Sequence, residues 1–304
     1  MSFKVWLKAL RVPFITATIV PVLLGSVVAW HLIDSFNWLY FFLVLIGVSF
    51  LHFGTNLAND YYDHKSNNDE ANETPTQFSG GSRVIQDGLL APKKILYVAL
   101  AFFTLGAAIG LYLSWALQSV EILLLGVVGI FFGYFYTAGP FKFGYRGFGE
   151  FIVGLCFGPL VVLGSYYVQT GFFSSTALLA SIPVGILITL VLYINEFPDY
   201  NADKSVGKKT LVVAFNKQKA MHLYHFFLLL VYLSILSFIL IGFFPVWTLI
   251  TFITLPLAVK VYLVSKKHFN EIQELLPANA MTIALHLSIG LLLSVGFIVD
   301  KLLG

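Results

Sequence analysis

The feature that most constrains this chain is a recurrence. Stretches of about 20 mostly apolar residues, enough for a helix to cross a ~30 Å hydrocarbon core, return along its whole length. They fall near residues 12–33, 38–58, 94–116, 120–138, 147–169, 177–197, 220–242, 245–265 and 280–300. In lipid every backbone N–H and C=O must be satisfied internally, so runs of this kind specify helices. Charged residues make up only 11% of the chain, less than half of the ~25% usual in soluble domains, too few for a water-facing surface. The expectation is an all-α polytopic membrane protein, a single domain over residues 1–304 with about nine transmembrane helices.

The basic residues at the start, Lys4, Lys8 and Arg11, precede an apolar run as they would in a signal peptide. That run continues from Val12 to about Ile33, long enough to span, and is read as the first membrane helix. The 120–138 segment is the shortest, and Pro159, Pro183 and Pro256 lie inside other segments, where neighbouring helices can satisfy the freed carbonyls.

Charge then sets orientation. Alternating connections collect 17 of the 18 Lys and Arg residues on one side, leaving only Lys301 for the other. By the positive-inside rule the N-terminus is cytoplasmic and the C-terminus lies across the membrane, which suits a bacterial plasma membrane. The net charge of +3 is too weak and dispersed for nucleic acid. The single cysteine, Cys156, excludes an internal disulfide, and the seven histidines show no zinc-binding spacing. Two cytoplasmic connections, about 59–93 and 198–219, are long enough to act as lids or binding segments.

Both connections begin where an acidic cluster leaves the membrane. The first reads Asn56-Leu57-Ala58-Asn59-Asp60-Tyr61-Tyr62-Asp63, with Asp69 beyond it; on a continuing helix Asn56, Asp60 and Asp63 share one face. The second reads Asn195-Glu196-Phe197-Pro198-Asp199-Tyr200-Asn201-Ala202-Asp203, and Asn195, Asp199 and Asp203 again share a face. Magnesium favours hard oxygen ligands, usually one or two carboxylates completed by phosphate and water. Facing clusters of this type suit two or more Mg2+ ions around a diphosphate, whose departing charge the metal would neutralise. Arg83, Lys142, Lys208 and Lys209 are basic residues placed to contact phosphate. Two other readings stand beside this one. Acidic residues at helix ends, Asp69, Glu70 and Glu73 above all, are often simply solvated, and intramembrane carboxylates also mark ion-coupled transport. Transport sites, however, usually sit near the midplane on interrupted helices, whereas these clusters lie at one membrane edge.

The segments NLANDYYDHKSNND and NEFPDYNADKSVGKKTLVV resemble the two signature stretches of the UbiA-type intramembrane prenyltransferases, and YTAGPFKFGYRGFGE (Tyr136 to Glu150) resembles a third. The resemblance implies a helical bundle around a central cavity, capped on the cytoplasmic side by the loops after helices 2 and 6. It implies Mg2+-dependent transfer of a polyprenyl group from polyprenyl diphosphate to an aromatic acceptor. Carried over by residue, Asn56, Asp60 and Asp63 would hold one metal, and Asp199 and Asp203, with Asn195, the other. Asn59 and Asn195 would orient these ligands, and Arg83, Lys142 and Lys208 would contact diphosphate. The offset of six from Asp63 to Asp69 and the segment Phe78-Ser79-Gly80-Gly81-Ser82-Arg83-Val84 resemble the 1,4-dihydroxy-2-naphthoate branch of menaquinone synthesis. Glu196 departs from it, since that branch often carries a second Asn there.

An allylic cation needs a dry site, and aromatic faces can stabilise it without reacting. Tyr61, Tyr62, Tyr134, Tyr193 and Tyr200 are candidates, and Tyr136, which opens the third segment, is the foremost as a substrate-binding residue. Gly80-Gly81 offers a backbone approach to phosphate, and Glu150 either joins the site or caps the fifth helix.

Overall fold

The computed structural model describes residues 3–304, and among these there is no β-strand. A short helix α1 (Phe3–Ala9) and a 3₁₀ turn (Val12–Ile15) lead into α2 (Thr16–Ile33) and α3 (Trp38–Lys65). Then come α4 (Pro92–Ala116), α5 (Val120–Phe135), α6 (Gly149–Leu155) and α7 (Val161–Thr170), the last two joined by a π-helical turn (Cys156–Leu160). The chain finishes with α8 (Ser175–Ser205), α9 (Leu211–Leu240), a 3₁₀ helix (Val246–Thr254), α10 (Leu255–His268) and α11 (Ile272–Leu303).

Among the described residues eight helical segments are by themselves long and apolar enough to cross a membrane, and a ninth apolar helix is shorter. That ninth is α5, whose 16 residues extend only about 24 Å at 1.5 Å per residue. It is apolar and stands in the position of the expected 120–138 segment.

Short polar connections start several helices by ordinary capping chemistry. Asn37 accepts from the Tyr40 N–H at 3.1 Å, Ser119 from Ile122 at 3.3 Å, Ser174 from Thr176 at 3.1 Å and Thr210 from Val213 at 3.3 Å. Pro159 sits in the π turn, where its missing N–H disrupts least, and Pro183 lies inside α8. Pro256 lies inside the span Val246–His268, where it occupies the first turn of α10, a position that needs no N–H.

Two helices run further than their apolar stretches, and this builds the site. Helix α3 continues to Lys65 and α8 to Ser205, so both acidic clusters ride on helical ends. Helix α8 carries Pro198 without stopping, and α9 begins at Leu211, bending at Asn216 (φ 61°). The expected loop over 198–219 therefore shrinks to residues 206–210. Polarity alone suggested a loop there, but a helix emerging from the bilayer needs no apolar face to continue. The cap comes instead from the segment 66–91, which folds back over the helix ends and buries Asn68, Asp69 and Asn72. Below it, Gly158 in the π turn lies against Gly185 of α8, so closely that a Cβ on Gly158 would fall 2.7 Å from the Gly185 Cα. Small residues at this crossing let the two backbones approach.

Candidate active site

A cavity of about 1150 Å³ opens between the helices, somewhat above the usual range for small-molecule sites. One end is polar, lined by Arg11, Asn56, Asn59, Asp63, Asn68, Asp69, Arg83, Asn195, Glu196, Asp199 and Lys208. Its depth is apolar, walled by residues such as Leu43, Leu113, Val127, Leu160 and Ile188. One end suits a strong anion and the other a hydrocarbon.

The two clusters do face each other, through the folded-back segment. Asn68 donates to Asp203 at 3.2 Å and Asn72 to Asp199 at 2.7 Å, while the Gly80 N–H donates to the other Asp199 oxygen at 3.1 Å. Gly80 and Gly81 both have positive φ (76° and 74°), which glycine adopts without penalty. The absent Gly81 side chain matters too, since a Cβ there would fall 2.4 Å from an Asp69 carboxylate oxygen.

Each predicted residue has a definite place. Asp60 is buried and accepts from Arg11 and from the Ser82 hydroxyl and N–H; it lies behind the cavity wall rather than on it. Asp63 is on the wall, accepting from Asn59 at 3.0 Å and from the Tyr145 hydroxyl at 2.7 Å. Asn56 donates to the Leu10 carbonyl at 3.1 Å. Asn195 accepts from Asn279 of α11 at 2.8 Å. Lys208 pairs with fully buried Asp203 at 3.2 Å, and Arg83 donates to the Asp69 carbonyl. Lys142 is not brought to the wall, lying instead over the Tyr145 ring, and Lys209 is exposed.

Of the tyrosines only Tyr136 lines the cavity, cradled by Gly144 and Gly149, where a Cβ would come within 3.0 Å of its ring or hydroxyl. Tyr62 and Tyr134 bond each other at 2.6 Å, and Tyr193 is buried in the core. Glu150 lies in the first turn of α6, and its carboxylate also accepts from the Leu211 N–H at 2.5 Å, closing the start of α9.

Sequence reasoning passed over Arg11, Asn68, Asn72, Ser82 and Tyr145. Arg11 was legible only as an orienting charge, because its partners lie 48 and 49 residues away. Asn68 sits inside the first signature segment and Tyr145 inside the third, so the signal for those two lay within stretches already singled out.

Charge is densely packed here. Burial opposes the charge on Arg11, but Asp60, Asp69 and Asp63 outweigh it and hold the guanidinium above its ordinary value. Burial opposes Lys208 in the same way, and Asp203 and Asp63 raise it. Burial, then Asp63 and Asp60, push Asp69 up to about 8. Burial raises Tyr136 and Tyr145, with Glu196 adding to the first and Asp63 to the second.

The residues fit Mg2+. The donors are hard oxygens, and the buried carboxylates outnumber Arg11, Arg83 and Lys208. Asp203 Oδ2, Asn68 Oδ1 and Glu196 Oε2 are buried without a partner, an arrangement that costs free energy unless a cation or donor arrives. No three carboxylate or histidine side chains among the described residues already form a cage, so phosphate and water would complete the shell.

The UbiA prenyltransferase family model matches residues 18–289. The chain is 31% identical over 289 residues to a 1,4-dihydroxy-2-naphthoate octaprenyltransferase of Bacillus subtilis, covering 94% of this chain and 89% of that one. It is 28% identical to a 2-carboxy-1,4-naphthoquinone phytyltransferase of Synechocystis, covering 97% and 93%. Its fold is similar to that of a UbiA homolog from Archaeoglobus fulgidus bound to GPP and Mg2+ (TM-score 0.58, 15% identity, 96% and 99% covered).

Proposed function

Because this chain belongs to the UbiA prenyltransferase family, and is thus an integral membrane prenyltransferase, we propose that it joins a polyprenyl group to 1,4-dihydroxy-2-naphthoate with release of diphosphate and CO2. The observation that carries the reading is one cavity with a carboxylate-and-amide rim and an apolar depth, matched to an amphiphile with an anionic head and hydrocarbon tail. Two naphthoate or naphthoquinone prenyltransferases among its relatives favour that acceptor over a monocyclic one. The depth of the apolar cavity sets the length of donor it accepts.

In this reading Asn56 and Asp63 would hold magnesium on one side, with Asp60 behind them where Arg11 and Ser82 fix it, and Asn195, Asp199 and Asp203 would hold it on the other. When bound, magnesium draws negative charge onto the diphosphate oxygens and eases departure of that group. Lys208, Arg83 and Arg11 approach the same oxygens as fixed positive charges. The allylic carbon–oxygen bond breaks with its electron pair going to diphosphate. The ring carbon that bears the carboxylate then bonds the allylic carbon, and loss of that carboxylate as CO2 returns the electron pair to the ring. The apolar depth excludes water that would quench the cation, and Tyr136 offers its face near the reacting carbon. The active-site loops and N-terminus face the cytoplasm, in keeping with the one-sided distribution of Lys and Arg.

The test is direct. Purified protein is incubated with magnesium, a mixture of prenyl diphosphates and several aromatic acceptors, and products are identified by mass. Prenylated, decarboxylated naphthoate is expected; product from another acceptor alone would sink the naphthoate assignment.

A further inference from the structure

His52 lies on α3 one turn before Asn56, about 6 Å deeper along the helix at 1.5 Å per residue. It is 8% exposed and lines the cavity just below the polar rim. Its Nδ1 is 2.9 Å from the Thr18 hydroxyl of α2, and its ring meets Phe157 edge-on with centroids 4.9 Å apart. These two contacts fix the imidazole plane. The ring's one hydrogen bond is at Nδ1, which leaves Nε2 free to bond a molecule in the cavity that His52 lines.

The surroundings make that nitrogen distinctive. Thr55 and Ser165, hydroxyl residues lining the same region, donate to carbonyls of their own helices, Leu51 and Val161. Around His52 the wall is apolar and partly aromatic: Phe14, Phe157, Ile188, Val191 and Ile283. A flat ring can lie between such side chains, but they cannot set its rotation. A buried hydrogen-bonding group can.

We propose that His52 is an acceptor-binding residue: its Nε2 hydrogen-bonds a hydroxyl of the aromatic acceptor and fixes which ring carbon faces the metal-lined rim. Either tautomer serves. If Thr18 donates to Nδ1, Nε2 carries the proton and donates to the acceptor oxygen; if Thr18 accepts, Nε2 receives the acceptor's hydroxyl proton in a hydrogen bond. Thr18 is the positioning residue that locks the ring. The inference rests on the aromatic-acceptor reading and adds to it the group that orients the acceptor.

The experiment compares wild type with His52→Leu, His52→Gln and Thr18→Val, measuring KM for dihydroxynaphthoate and for prenyl diphosphate separately. Equilibrium binding of dihydroxynaphthoate is followed by its own fluorescence. His52→Leu should raise the acceptor KM and Kd about tenfold, the loss of one net hydrogen bond, with the prenyl diphosphate KM within twofold of wild type. His52→Gln should recover part of that loss, and Thr18→Val should fall between. If His52→Leu fails to fold, His52→Gln and Thr18→Val carry the same comparison. An unchanged acceptor Kd in the folded variants, or both KM values moving together, overturns the proposal. A wild type that prenylates no aromatic acceptor overturns the functional reading itself; one that does so while the variants bind dihydroxynaphthoate normally overturns only the role of His52.

Discussion

Arg11, in the turn before the first spanning helix, donates one guanidinium nitrogen to both Asn59 and Asp60 of α3. The backbone at Arg11 is left-handed (φ 52°), an uncommon conformation for a non-glycine residue, so the turn is held there by what its side chain grasps. The pair fixes a carboxylate of the first cluster before any cation binds.

Removing Arg11 should therefore harm metal binding as well as folding. Asp60 is 2% exposed, and without its partner it keeps a buried charge that only Ser82 offsets. Arg11→Ala should lower kcat/KM about 100-fold, equivalent to ~2.7 kcal/mol. Arg11→Lys should recover little, because a point charge cannot reproduce the planar contact with two acceptors. A double-mutant cycle with Asp60→Asn, read as thermal stability in one detergent, should show coupling well above 0.5 kcal/mol; additive effects would contradict the pairing.

Asp199 tethers the capping segment to α8 through Asn72 and the Gly80 N–H. Asp199→Ala should abolish turnover and also loosen the cap, since both oxygens lose their partners together. Limited proteolysis should cut within residues 73–77, where Glu73, Thr74, Pro75 and Gln77 are exposed, faster than in wild type. Lost activity with an unaltered digestion rate would mean that Asp199 acts on the metal alone.

Asp69 supplies a pH dependence. Its carboxyl is held up to about 8, against 3.8 unperturbed, by burial and then by Asp63 and Asp60. Between pH 4 and 8 the folded protein thus retains a proton that the unfolded chain has lost, and metal-free stability should fall as pH rises through that window. A cation at the rim favours the ionised form, so magnesium binding should release a proton and tighten as pH rises towards 8. Calorimetry in two buffers of different ionisation enthalpy counts that proton. Asp69→Asn should remove most of the effect, and proton release unchanged in that variant would assign it elsewhere.

How much of this was legible in the sequence depends on the range of the interaction involved. Helices α3 and α8 and their acidic faces were readable, because periodicity and hydrophobic run length are local. The short connection at 206–210 was not, since polar residues that leave a membrane read as loop whether or not the helix continues. Asp69 read equally as solvated, and its burial follows from Gly81 packing against it and from the segment folding back onto α8. The misplacement of Lys142 has the same origin: it belongs to the third signature segment, but at φ 47° its side chain lies over Tyr145 rather than in the cavity. Spacing finds which residues share a helix face; it does not find which loop turns inward.

Helix packing under the rim gives the last prediction. Gly158 and Gly185 allow the π turn and α8 to meet, and a Cβ at Gly158 would lie 2.7 Å from the Gly185 Cα and 3.0 Å from the Ser181 carbonyl oxygen. Both obstacles are backbone, so neither can swing aside. Gly158→Ala should cost about 1–3 kcal/mol through forced separation of the helices. Gly110, in the middle of α4, has nothing within 4 Å of the same position. Gly110→Ala should leave stability unchanged or raise it by up to ~1 kcal/mol, the helix-propensity difference. Thermal unfolding of both variants in one detergent checks the contrast. Equal losses at the two positions would mean that close approach of the π turn to α8 does not set the packing, since the same substitution would then cost as much where nothing is met.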